Sequence, residues 1–209
     1  MDPLARYLDA LPLVAILRGV RPQEIVEIGT TLVDHGLRCI EIPLNSPDPY
    51  ASIAKLAGAA GDEVLIGAGT VLDVDAVARV AAAGGRLIVS PNFAPAVVEA
   101  AVAGDLISLP GVATPSEAFA ALAAGAHGLK VFPAEALPPA VVKAWCAVLP
   151  AGVRLMPVGG IAPGSMAAYV AAGAAGFGLG SALYRPGFTA AEVAERAAAF
   201  ASAWAALSG

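Results

Sequence analysis

Lys130 stands between Leu129 and Val131 in the run LKVFP (129–133), and Glu41 between Ile40 and Ile42 in CIEIPL (39–44). Both runs otherwise have the apolar, partly β-branched make-up of a buried strand, so each encloses one ionisable group. Burial favours the neutral amine of a lysine and lowers its pKa by up to about 3 to 5 pH units. A neutral amine can attack a carbonyl and form an imine. A carboxylate facing it would move protons during carbinolamine dehydration, and to or from a substrate hydroxyl. A structural reading stands beside the catalytic one: Lys130 snorkels to the mouth of the fold, or forms an ion pair with Glu41. Lys55 and Lys143, the other two lysines, lie in helix-like segments where a solvated face accounts for them.

Two later stretches suit an anion. PVGGIAPGS (157–165) and FGLGSAL (177–183) bring Gly159, Gly160, Gly178, Gly180 and Ser181 to positions where backbone N–H groups can receive a phosphate without a lysine. Loop geometry alone would also explain the glycines. Arg18, at the end of LVAILRG (13–19), could hold a second anion such as a carboxylate through its forked guanidinium, or make a rim salt bridge. His35 and His127 precede glycines at a helix end and at a strand entry, away from the other candidates. With no carboxylate–histidine cluster at the strand ends, a metal-dependent route is disfavoured, and no cofactor is expected.

These residues need elements to bring them together. Eight short apolar runs end near residues 18, 43, 69, 90, 110, 132, 158 and 180, and Ala-rich segments of helical period lie between them. That spacing suits one strand–loop–helix unit per repeat, and eight units close a (β/α)₈ barrel, here one domain over 1–209. In such a barrel the C-terminal strand ends share one mouth, where Arg18, Glu41, Asn45, Thr70, Lys130 and the late glycines would meet. An open doubly wound sheet is the rival, but it calls for a phosphate-binding glycine loop after the first strand, and LRGVRPQE has one glycine. In ATPSEAF, Thr114, Pro115 and Glu117 spell a capping box that opens a helix. Asp2, Arg6 and Asp9 suggest a short amphipathic helix at about 2–10.

Composition narrows the classes further. Of 209 residues, 58% are hydrophobic and 14% charged, which supplies a large interior and excludes a disordered chain. A net charge of -5 with scattered arginines argues against nucleic acid as a partner. The uncharged stretch 155–184 contains seven glycines and two prolines and reads as strands and loops, not as a membrane span. The N-terminus has no apolar signal-peptide core, so a cytoplasmic location is expected. Cys39 and Cys146 lie far apart without ligand spacing and read as ordinary thiols.

The motifs AILRG, EIPLNSP, IGAGTVL, SPNF, PGVATPSEA, LKVFPAE, PVGGI and GLGSALY occur in this order from about Leu13 to Pro186. In them the sequence resembles the bacterial 2-keto-3-deoxy-6-phosphogluconate and 2-keto-3-deoxy-6-phosphogalactonate aldolases, class I enzymes of the (β/α)₈ fold. The resemblance implies that Lys130 forms the Schiff base, that Glu41 is the general acid/base, and that the late glycines with Ser181 hold the phosphate. It also implies a phosphorylated keto-deoxy sugar acid as substrate, and a homotrimer. Asn45 and Val158 stand where the phosphogluconate branch carries Arg and Thr, so the sequence looks like the phosphogalactonate branch. Without that Arg, Arg18 with Thr70 beside it is expected to hold the pyruvate carboxylate. The two substrates differ only at C4, so the gluconate epimer, or both epimers, is the near alternative. A phosphosugar isomerase and a non-catalytic phosphosugar-binding protein are the more distant ones.

Overall fold

Strands rich in Val, Ile and Leu favour a parallel sheet buried on both faces, because their side chains must be covered above and below the pleat. In the computed structural model, which describes residues 3–208, each of the eight expected runs carries a strand. The strands, two of them from the fifth run, are β1 (Leu13–Ile16), β2 (Cys39–Pro43), β3 (Leu65–Gly69), β4 (Leu87–Val89), β5 (Ile107–Leu109), β6 (Gly111–Val112), β7 (Leu129–Val131), β8 (Leu155–Pro157) and β9 (Phe177–Leu179). The helices are α1 (Ala5–Leu8), α2 (Ile25–Asp34), α3 (Pro49–Ala60), α4 (Val74–Ala82), α5 (Pro95–Ala103), α6 (Pro115–Ala123), α7 (Pro139–Cys146), α8 (Met166–Ala171) and α9 (Ala190–Ser208). The expected α6 capping box is present: Glu117 N–H donates to Thr114 Oγ1 at 3.2 Å, and Thr114 N–H to Glu117 Oε2 at 2.9 Å. Helix α1 is shorter than the expected span, whose first residue, Asp2, lies outside the described residues.

All strand pairs are parallel, and they form two ladders: six strands in the order β5-β4-β3-β2-β1-β9, and three in the order β6-β7-β8. The fifth run is split because Pro110 has no N–H to continue a ladder. Before it, β5 pairs with β4; after it, β6 pairs with β7, and the Pro110 carbonyl accepts from Lys130 N–H at 2.9 Å. At the other seam, pairing thins to a single parallel bridge between Val158 and Gly178.

Strand alternation separates two apolar clusters. Ala15, Ile40, Ile42, Ile66, Ile88, Leu129 and Val131 face the helices and join the larger one. Val14, Cys39, Leu65, Leu87, Val89, Ile107, Leu109 and Met156 turn the other way into an inner cluster, joined by Leu4 and by Tyr7 and Leu8 of α1. Glu41 shares the inner parity of Cys39. Lys130, between two helix-facing neighbours, shares it too.

Candidate active site

Because β2 and β7 present every second residue inward, Glu41 and Lys130 enter the interior without any loop rearrangement. Glu41 is 1% exposed and Lys130 7%. With Val14, Ile16, Val89, Leu109, Met156, Val158 and Gly178 they line a chamber of about 20 Å³, which is room for about one water molecule.

Burial disfavours both charges, and the shifts have opposite signs. Burial pushes the Glu41 carboxyl up to about 7, while Lys130, Arg18 and a hydrogen bond from Gly69 N–H pull against it. Burial, helped by the Arg18 charge and opposed by Glu41, moves the Lys130 ammonium below its ordinary value. The amine is thereby easier to deprotonate, and the carboxyl is poised near neutrality to exchange protons. Glu41 Oε2 has no hydrogen-bond partner among the described residues. The carboxylate lies so close over Gly69 that a methyl group there would overlap it. Lys130 Nζ also sits 4.7 Å from the centroid of the Phe132 ring. Phe132 was not among the sequence candidates, although a residue two positions from Lys130 on an extended segment was a legible signal.

Ile16, Lys130 and Val158 also line an open cleft of about 490 Å³, in which Arg18, Gly159, Gly160, Gly180 and Ser181 face one another. Gly159 (φ 112°) and Gly160 (φ 62°) adopt backbone conformations that favour glycine. Gly178 is placed differently from these: it lies in the buried chamber, packed against Val158. Thr70, in the left-handed region at φ 57°, lines a neighbouring hollow of about 480 Å³ with Asn45, Tyr50, Asp73 and Arg79. Thr70 is thus not among the residues that line the cleft with Arg18 and Lys130, but it shares its hollow with Asn45, the partner of Arg18.

Asn45 reaches the cleft through Arg18: Arg18 Nη1 donates to Asn45 Oδ1 at 2.8 Å. Beside it, Gly19 N–H donates to Ser46 Oγ at 2.9 Å, so two bonds tie the loop after β1 to the loop after β2. Tyr184 O–H donates to Glu24 Oε1 at 2.8 Å and joins the loop after β9 to the start of α2. Ser46, Tyr184 and Glu135, a further cleft residue, escaped the sequence reading because their partners lie in other loops. His35 Nδ1 meets the Thr31 carbonyl oxygen at 2.8 Å, and His127 Nδ1 accepts from Ser108 N–H at 3.1 Å, neither of them in the cleft. Among the described residues no three His, Cys, Asp or Glu side chains converge as a metal-ligand set, and no helix is long and apolar enough to cross a membrane.

The family model described as KDPG and KHG aldolase matches residues 4–198. The chain belongs to that family. A probable 2-dehydro-3-deoxy-6-phosphogalactonate aldolase of Rhizobium meliloti (strain 1021) is 49% identical over 198 residues, 95% of this chain and 93% of its own. The 2-dehydro-3-deoxy-6-phosphogalactonate aldolase of Escherichia coli (strain K12) is 46% identical over 194 residues, 93% of this chain and 95% of its own. A solved structure of native KDPGal superposes with a TM-score of 0.93 at 45% identity, covering 95% of this chain and 96% of that one. Family members of this kind are carbon–carbon lyases.

Proposed function

We propose that this chain is a class I aldolase that reversibly cleaves 2-dehydro-3-deoxy-6-phospho-D-galactonate to pyruvate and D-glyceraldehyde 3-phosphate. The observation that carries the reading is a buried lysine and a buried carboxyl in one small chamber that shares Ile16, Lys130 and Val158 with the open cleft. In the proposed reaction the Lys130 amine attacks the C2 ketone, and loss of water leaves an iminium. Glu41 accepts the C4 hydroxyl proton, the C3–C4 bond breaks, and its electron pair flows into the iminium to give an enamine. The aldehyde leaves, C3 is protonated, and hydrolysis frees pyruvate and the amine. The iminium is itself the electron sink, so this route needs no metal and no cofactor.

Arg18 is assigned the substrate carboxylate, with Thr70 acting from the adjoining hollow. Gly159, Gly160, Gly180 and Ser181 are assigned the phosphate, with Gly178 supporting them from below. Val158, between chamber and cleft, and Asn45, through Arg18, are assigned the sorting of C4 epimers. The names of the two bacterial relatives favour the galactonate epimer over the gluconate one. We extend the proposal to one closed (β/α)₈ barrel domain, in which the Pro110 and Val158–Gly178 seams join the two ladders, and to a homotrimer in the cytoplasm.

Borohydride added with pyruvate should leave a stable adduct on Lys130, read by mass spectrometry, and the galactonate epimer should be cleaved faster than the gluconate one. An unmodified Lys130 in an enzyme that cleaves either epimer would sink the imine reading. Faster cleavage of the gluconate epimer would reverse the substrate assignment.

A further inference from the structure

Among the described residues Glu135 is the one acidic side chain lining the cleft, and its position is unusual for a pocket assigned to a phosphate. It sits on the turn Ala134–Ala136, two residues after Pro133. That turn is held from two sides: Ala134 N–H donates to the Val158 carbonyl at 2.9 Å, and Tyr169 O–H contacts the carbonyls of Ala134 at 3.0 Å and Leu137 at 3.3 Å. Fixed in this way, the turn lays the Glu135 side chain across the glycine pair. A methyl group on Gly159 would overlap the Glu135 carboxylate, and one on Gly160 would stand 3.1 Å from its Cγ and 3.3 Å from Oε1. Position 159 favours glycine for its backbone conformation, and the Glu135 carboxylate rests in the space a side chain there would take.

We propose that Glu135 is a specificity-determining residue: its carboxylate covers the glycine pair as an internal anion that an incoming phosphate must displace. The inference rests on the phosphate assignment made for Gly159 and Gly160 above. A free phosphate, or a short phosphorylated fragment, meets this like charge unaided and binds weakly. A substrate held at its other end on Lys130 presents its phosphate at a high effective concentration and moves the side chain aside. Glu135 is exposed and carried on a flexible side chain, so displacement costs a rotamer change and not a backbone movement. The cleft thereby distinguishes a ligand with two anchors from one with a single anchor.

The test uses inorganic phosphate as a competitive inhibitor of cleavage by the wild type, Glu135→Gln and Glu135→Asp. Glu135→Gln should lower the inhibition constant roughly five-fold at low salt, the effect of removing one exposed like charge, and the gap should shrink as ionic strength rises. Glu135→Asp keeps the charge on a shorter arm and should fall between the two. An inhibition constant that is unchanged, or raised, in Glu135→Gln overturns the proposal, and a raised value means that the carboxylate assists the ligand. If the wild type cleaves no phosphorylated keto-deoxy acid, the proposed function fails instead, an outcome distinct from a cleaving enzyme whose phosphate inhibition ignores position 135.

Discussion

The buried chamber and the open cleft share Ile16, Lys130 and Val158, yet they handle charge in opposite ways. In the chamber two ionisable groups have almost no solvent, and burial moves both toward neutrality. In the cleft Arg18, Glu135 and Ser181 remain exposed, on segments between the strands and helices. A buried pocket of this kind tunes reactivity, at a cost in stability, while an open one can sort ligands by geometry at little cost. Substitutions in the chamber should cut turnover steeply, and substitutions in the cleft should shift apparent affinity by small factors.

The largest effect is expected from Glu41→Gln, which keeps the shape of the side chain and removes its proton chemistry. The cleavage rate constant should fall by about 10²- to 10⁴-fold, the usual worth of a positioned general acid or base. The wild-type pH profile should rise roughly ten-fold per unit on the acid side and level off near 7, the value to which burial pushes this carboxyl. That acid limb should vanish in the variant. Stability carries an independent sign. Between an ordinary carboxyl value of 4.5 and about 7 the folded chain keeps a proton that the unfolded chain has released. This group's contribution therefore declines as pH rises through that window. Denaturant titrations of the wild type and Glu41→Gln across the same range should lose that slope in the variant. An acid limb retained in Glu41→Gln would show that another group supplies it.

Gly69→Ala tests the same chamber by geometry. The added methyl would occupy the space of the Glu41 carboxylate, which has no comparable room in a chamber of about 20 Å³. Overpacking of this kind costs about 1 to 3 kcal/mol. Cleavage should drop roughly 10- to 100-fold, while pyruvate and borohydride still label Lys130, because the amine itself is not displaced. Cleavage at the wild-type rate would mean that the position of Glu41 over Gly69 is not needed for turnover.

The chamber was also the more legible region. Lys130 and Glu41 could be found from sequence because a charge inside a period-2 apolar run violates a local rule, and alternation alone sends both inward. The parallel α/β order and the α6 capping box were legible for the same local reason. The split of the fifth strand at Pro110 was legible in principle, since a proline cannot donate to a ladder, but which neighbour each half would choose depends on the seam. The cleft was less legible because its geometry is set between loops. Nothing near Glu135 in the chain indicates that it lies on Gly159. Thr70, one residue past β3 and in the left-handed region, lines a hollow with Asn45, whose side chain in turn meets Arg18, a link between loops that local pattern does not show.

Asn45→Ala gives the smallest expected effect and the finest test of the comparison. Arg18 is exposed, and among the described residues the one side-chain hydrogen bond fixing its guanidinium is the 2.8 Å contact to Asn45 Oδ1. Removing that acceptor leaves the charge in place and frees it to sample other rotamers, so a carboxylate meets a less ordered fork. A solvated bond of this kind is worth about 1 kcal/mol, or roughly five-fold. The loss should fall on the KM for pyruvate in the condensation direction and leave the slope of the acid limb in place, because Glu41 is untouched. Ser46 still accepts from Gly19 N–H and holds the loop backbone, which separates loss of Arg18 orientation from loss of the loop. If Asn45→Ala instead lowered kcat as far as Glu41→Gln does, the division would be wrong. The rim residues would then be setting the reactivity of the chamber, through the Arg18 charge that both Glu41 and Lys130 feel.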